Sequence, residues 1–137
     1  MDILIEQSAR AHLLTVEDRE VPVPVILRYT AADPLAVFVD FPPEATLEGG
    51  EVTWTFARSL LDQGLRTPAG CGDVRIWPFG RTRTVVEFHA PGGLAMLRFP
   101  TSALRRFLLC TYAVVGAGSE DVTGALEQGL SALFGGV

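Results

Sequence analysis

The stretch Val52–Gly64, VTWTFARSLLDQG, changes period partway along, and that change decides the fold class. Val52, Trp54 and Phe56 alternate with Thr53 and Thr55, the period-two pattern of a strand with one apolar and one polar face. Trp54 is therefore expected in the core. From Ser59 the alternation stops. Ser59–Gln63 predicts a short helix, with Gly64 as its C-terminal stop.

Upstream, the same alternation predicts three more strands. Ile3 and Ile5 begin one that runs on through Leu13. Val23, Val25, Leu27 and Tyr29 mark the next. Pro22 and Pro24 supply no ladder donor, so they belong at a strand start or on an edge. Val37, Val39 and Phe41 mark a further strand, reached through a turn at Asp33-Pro34. Downstream, Thr67–Gly72 reads as a turn-rich loop. Strands follow at Asp73–Trp77, Arg83–His89 and Leu94–Phe99, separated by turns at Pro78–Arg81 and Pro91–Gly93. The period then becomes helical. Leu104, Phe107, Leu108 and Val115 recur along Thr101–Val115, with Thr101 or Ser102 as N-cap. A last amphipathic helix is predicted over Asp121–Phe134, with Val122, Leu126, Leu130 and Leu133 on one stripe. Strands first and helices last define an α+β fold. The expected sheet is mainly antiparallel with about seven strands, one short helix and two C-terminal helices, in a single domain over the whole chain.

At 137 residues the chain is long enough to bury a core without a metal or disulfide staple. Its 48% hydrophobic content favours a small homo-oligomer, because apolar surface left over on a short soluble chain marks contacts. The net charge of −5 argues against nucleic acid as a general partner. All eleven cationic residues are arginine, and neither Lys nor Asn occurs, a pattern of GC-rich coding. Cys71 and Cys110 stand far apart in no metal-like spacing and read as free thiols of a reducing compartment. The first residues carry Asp2 and Glu6 and do not resemble a signal peptide. The longest uncharged run, Phe107–Ser119, is too short to span a bilayer. These features predict a soluble cytoplasmic protein with no membrane insertion.

The candidate chemistry is sparse. Gly70-Cys71-Gly72 precedes a strand, whereas a phosphate loop opens a helix. His12 and His89 have no ligand spacing around them, and His89 shares an outward face with Val85 and Glu87. Glu17-Asp18 and Glu120-Asp121 read as turn and helix-start acids. No nucleophile-elbow motif is present. Catalytic residues, metal ligands and cofactors are therefore all expected to be absent. The cluster Arg75, Trp77, Phe79, Arg81, Arg83 carries more information. Val74 and Ile76 face inward, so Arg75 and Trp77 face outward. Trp77, Phe79, Arg81 and Arg83 form a candidate protein-binding surface. The same aromatic and arginine set could stack single-stranded bases, a second reading of these residues.

Several features recur in an order and spacing that identify a family. They are Leu27-Arg28-Tyr29, Asp33-Pro34, Trp54 with Phe56-Ala57-Arg58, Leu60-Leu61, Gly64-Leu65, and Gly70-Cys71-Gly72-Asp73-Val74 ending in Trp77-Pro78. On these residues the chain resembles the SsgA-like family of actinomycete sporulation and cell-division regulators, over nearly its whole length. The resemblance implies a non-enzymatic regulator of sporulation-specific septation, acting through protein contacts at the septum. It implies partners such as the tubulin-like GTPase FtsZ or an SsgA-like paralogue. It also implies a homo-oligomer, with a trimer preferred, and a fold of the whirly type shared with single-stranded nucleic-acid binders. Trp54, Gly70, Gly72, Asp73, Trp77 and Pro78 are its recurring positions and look structural.

Overall fold

The computed structural model describes residues 3–15, 17, 19–43, 49–91 and 93–120, with the side chain of Cys71 left aside. Along the chain lie β1 (Leu4–Leu14), β2 (Glu20–Thr30), β3 (Ala36–Phe41) and β4 (Val52–Ala57), then the helix α1 (Arg58–Gly64). The second half holds β5 (Ala69–Cys71), β6 (Val74–Phe79), β7 (Arg83–Ala90), β8 (Gly93–Pro100) and α2 (Thr101–Val114). The predicted helix over Asp121–Phe134 lies outside the described residues.

The strands form one antiparallel sheet in the order β4-β3-β2-β1-β8-β7-β6-β5. Each half of the chain is thus a four-stranded meander. The two meanders meet where β1 pairs with β8, through His12↔Arg98, Leu13↔Leu97 and Leu14↔Met96. Consecutive strands pairing through short turns is the economical route for an antiparallel sheet. The sheet curls on itself. Phe88 of β7 touches the rings of Phe41, Trp54 and Phe56 on β3 and β4, with centroids 5.7, 5.0 and 6.4 Å away. A flat sheet would hold those strands far apart, since neighbouring strands lie about 4.8 Å from one another.

Alternation explains which side chains fill the curl. Val23, Val25, Leu27 and Tyr29 are buried on β2, as are Val37, Val39 and Phe41 on β3, and Val74 and Ile76 on β6. Pro22 and Pro24 pair with His12 and Arg10 of β1. β2 pairs with β3 only from Ile26 to Arg28. The prolines therefore occupy the part of β2 that runs past β3, where a missing donor costs nothing.

Four details depart from the sequence reading. The sheet has eight strands, because Ala69–Cys71 pairs with Val74–Ile76 across a two-residue turn at Gly72-Asp73. Three residues are too few to show a period. Gly64 does not end α1 by a left-handed turn; Leu65 is the C-cap, in a right-handed conformation. Gly64 is needed instead for closeness, since a Cβ there would overlap the Ile76 side chain. Neither Thr101 nor Ser102 caps α2. Pro100 is the N-cap residue, and Thr101 shares a buried hydroxyl–hydroxyl bond of 2.8 Å with Thr84. Trp54 points inward with Phe56 as expected, but it is only partly buried, because β4 ends the sheet.

Leu104, Phe107, Leu108 and Thr111 form the buried stripe of α2, which lies against β1, β8 and α1. Its C-terminal end is held by Arg58, the first residue of α1. Arg58 is 1% exposed. It donates to the carbonyls of Thr111 (3.2 Å), Val115 (2.6 Å) and Gly116 (3.4 Å), and to the Glu120 carboxylate. Carbonyls at a helix C-terminus lack intrahelical donors and carry partial negative charge, so a cation there satisfies both needs. The rings of Tyr29 and Tyr112 flank the guanidinium at 5.0 and 4.6 Å. Tyr112 donates to Asp62; burial, and then that bond, push its phenol up to about 12. Glu120, expected as a helix-start acid, thus serves as the counter-ion of a buried arginine.

Candidate protein-interaction surface

The outer face of β6, β7 and β8 carries the residues singled out by the Trp77 cluster. Val74 and Ile76 are buried, so alternation turns Arg75, Trp77 and Phe79 outward. Arg75 is exposed, Trp77 half-buried and Phe79 49% exposed. Pairing sets Trp77 opposite Val85, and Phe79 opposite Arg83. The β6–β7 turn at Gly80–Thr82 carries Arg81 at its tip, with Gly80 at φ 69° supplying the left-handed residue. All four candidate residues therefore lie on one hairpin. Arg81 and Arg83 are exposed and form no ion pair among the described residues.

Alternation along one hairpin could not reveal a fifth member, because it comes from another strand. Val85 pairs with Arg98 of β8 as well as with Trp77. Arg98 reaches across Val85 to lie over the Phe79 ring, 4.6 Å from its centroid. Its Nη1 pairs with the Glu20 carboxylate of β2, while its Nε is buried and has no hydrogen-bond partner among the described residues. Val85 is consequently 1% exposed: it lies on the outer face, as its parity with Glu87 and His89 predicts, but that face is covered there and not open to solvent. Glu87 and His89 do share the outer face and pair with each other. The result is a half-exposed phenyl ring stiffened from one side by a guanidinium, beside a half-buried indole and two exposed arginines. Such a group loses little side-chain freedom when a partner covers it.

Of the remaining candidates, His12 pairs across strands with Pro22 and with Arg98, so it lies on the same outer face beside that arginine. Cys110 is free and exposed on α2. Gly72, at φ 76°, makes the β5–β6 turn, which is why the Gly-Cys-Gly run precedes a strand. Among the described residues no helix is long and apolar enough to cross a membrane.

Comparison with known proteins agrees with this architecture. The family described as Streptomyces sporulation and cell division protein, SsgA, matches residues 23–120. The sporulation-specific cell division protein SsgB of Salinispora tropica is 43% identical over 120 residues, covering 85% of this chain and 82% of that protein. SsgB of Streptomyces coelicolor is 38% identical over 134 residues, 96% of each chain. Among solved structures, one from work on SsgB mutations that correlate with longitudinal cell division during sporulation of S. coelicolor superposes with a TM-score of 0.78. It is 36% identical and the match covers 88% of this chain and 94% of that one. An SsgA-like sporulation-specific cell division protein from Thermobifida fusca gives 0.77 at 30% identity, covering 96% and 95%. The fold and these matches define a sporulation-specific type of cell-division protein. The chain belongs to the SsgA family.

Proposed function

We propose that this protein regulates sporulation-specific division without catalysis, by binding and positioning the division machinery at septa. The eight-stranded curled sheet, which we take to be of whirly type, serves as the platform. Trp77, Phe79, Arg81 and Arg83, with Arg98 behind them, form the partner-binding face. The observation that carries this reading is Phe79, half-exposed and stacked under Arg98 beside two exposed arginines that form no ion pair among the described residues. Aromatic and arginine side chains dominate interface energetics because they combine large buried area with directional donors. The complementary surface is acidic or mixed, as FtsZ or an SsgA-like paralogue would present, and the chain acts as a small homo-oligomer, preferentially a trimer.

Phe79→Ala combined with Arg81→Glu tests the reading. The double variant keeps its melting curve and oligomer state but loses septal localisation, and its binding to purified FtsZ or paralogue falls. Wild-type binding weakens with added salt, as a contact between exposed charges must. A double variant that localises and supports septation like the parent would rule this face out.

A further inference from the structure

We propose that the groove between β4 and β5 accepts an extended segment of another protein as an added strand. The proposal does not depend on the Trp77 face. It begins with the sheet order, in which β4 and β5 are the two ends and each pairs on one side only. The curl brings these ends towards each other. α1 leaves β4 directly and packs on β5 and β6, with Gly64 against Ile76. Between the ends lies a groove of about 450 Å³. Trp54–Ala57 line one wall, Gly70, Asp73 and Val74 the other, and Ser59, Leu60 and Gln63 close the α1 end.

The hydrogen-bond phase of β4 follows from one contact. Arg58 N–H donates to Leu35 O at 2.8 Å, and the register sets Ala57 opposite Ala36. In an antiparallel ladder, bonded and non-bonded pairs alternate. Phe56, Trp54 and Val52 therefore bond to β3, while the N–H and C=O groups of Thr53 and Thr55 and the N–H of Ala57 point to the free side; the Ala57 C=O, at the N-cap of α1, takes the first helical bond. Across the groove, the two-residue turn makes Cys71 and Val74 the bonded pair, which turns the backbone of Gly70 outward. No backbone bond within the described residues reaches Thr53, Thr55, Ala57 or Gly70 from the groove. The outward donors and acceptors of β4, facing the free N–H and C=O of Gly70, fit one ligand shape, an extended backbone.

The edge is also undefended. Proteins usually guard a free edge with Pro, Lys or an inward charge. The overhanging part of β2 has Pro22 and Pro24, whereas β4 (VTWTFA) and β5 (AGC) carry neither proline nor charge. The occupant is a lone strand and not a second folded copy. Both walls belong to one molecule, and an incoming β4 would bring β3 and α1 with it into the opposite wall. Among the described residues, Asp73 is the only charged side chain lining the groove; it is exposed and makes no ion pair with them, on a chain of net charge −5. The segment therefore carries Arg or Lys near Asp73 and small apolar residues against Trp54, Phe56 and Leu60. Trp54–Ala57 extends about 13 Å, room for about four residues of strand.

The test uses the full chain, isotopically labelled, and a displayed library of random dodecapeptides. Selected peptides are expected to alternate apolar and polar residues and to include a basic one. Synthesised, they should shift and protect the amides of Thr53, Thr55, Ala57 and Gly70. Methylating alternate peptide nitrogens, or introducing Thr55→Pro, removes a cross-groove hydrogen bond and should weaken binding about fivefold to tenfold. Proline is tolerated at that outward edge position. Asp73→Lys, in an exposed turn, is a second variant that keeps the fold and should reverse the preference for basic peptides. Three outcomes would overturn the proposal. The amides of Thr53, Thr55 and Ala57 could be protected in the free monomer, meaning that the chain's own residues fill the groove. The same amides could shift on concentration of the chain alone, meaning that a second copy does. Or no selected peptide could perturb them.

Discussion

The guanidinium of Arg58 pairs with the carboxylate of Glu120, 62 residues further along the chain, from a position where it also binds the last carbonyls of α2. Few contacts tie the start of one helix to the end of another so directly. Arg58 lies next to the last residue of β4, so the same side chain fixes the direction in which the chain leaves the sheet.

Arg58→Ala is expected to cost about 3–5 kcal/mol, the usual penalty for removing one partner of a buried pair. Arg58→Lys should recover only part of this, because an ammonium cannot match the planar fork that reaches four acceptors. Urea unfolding of the three proteins checks both statements. Equal midpoints would show that the carbonyls are satisfied by water.

Acid should weaken the fold through two carboxylates. The hydrogen bond from Arg58 holds Glu120 below its ordinary range, and the bond from Arg28 does the same for Asp40. A pKa lower in the folded state stabilises fully above the ordinary carboxylate value of about 4, and the gain is lost as pH falls through the depressed value. Their contribution is thus constant from neutrality to about pH 5 and declines below about pH 4. Glu120→Gln should be less stable than the parent at neutral pH, with the deficit shrinking at pH ~3. Denaturant midpoints at the two pH values decide it.

Phe88→Ala should be worse than Trp54→Ala. Phe88 is 1% exposed and meets three aromatic rings, so its loss should cost about 3–5 kcal/mol. Trp54, half-open at the sheet end, should cost about 2–3 kcal/mol. Thermal melts that rank the two in the opposite order would mean that the indole carries more of the curl than its burial indicates.

Gly64→Ala pushes a methyl into Ile76 and should destabilise by about 1–3 kcal/mol, as overpacking does. Adding Ile76→Ala should restore part of the loss that the glycine change causes, a coupling expected of residues in contact. Additive costs in the double-mutant cycle would refute the close approach.

The strands and α2 were legible because alternation and helical spacing persist over enough residues to be read. β5 was not, being three residues long and part glycine. The role of Gly64 was misread because close packing against Ile76 is a tertiary fact with no local signature. The Trp77–Phe79–Arg81–Arg83 hairpin was legible as a unit. Arg98 was not, since only pairing through β7 brings it over Phe79. Arg58 was visible only as part of a recurring Phe-Ala-Arg motif. Its burial depends on where α2 ends.

The meeting of the two meanders along His12–Leu14 and Met96–Arg98 has a kinetic meaning. Every other strand pair closes a short loop, and a β-hairpin forms in about 1–10 μs. This one joins residues more than eighty positions apart, and the entropy of closing that loop is spent before any contact across it is gained. Either meander alone leaves its apolar face open, because the curl that covers Phe88 needs rings from β3 and β4. Zipping three register pairs is therefore the step at which the chain commits to its folded state. Amides on that line should exchange only by global opening, at the slowest rate in the protein.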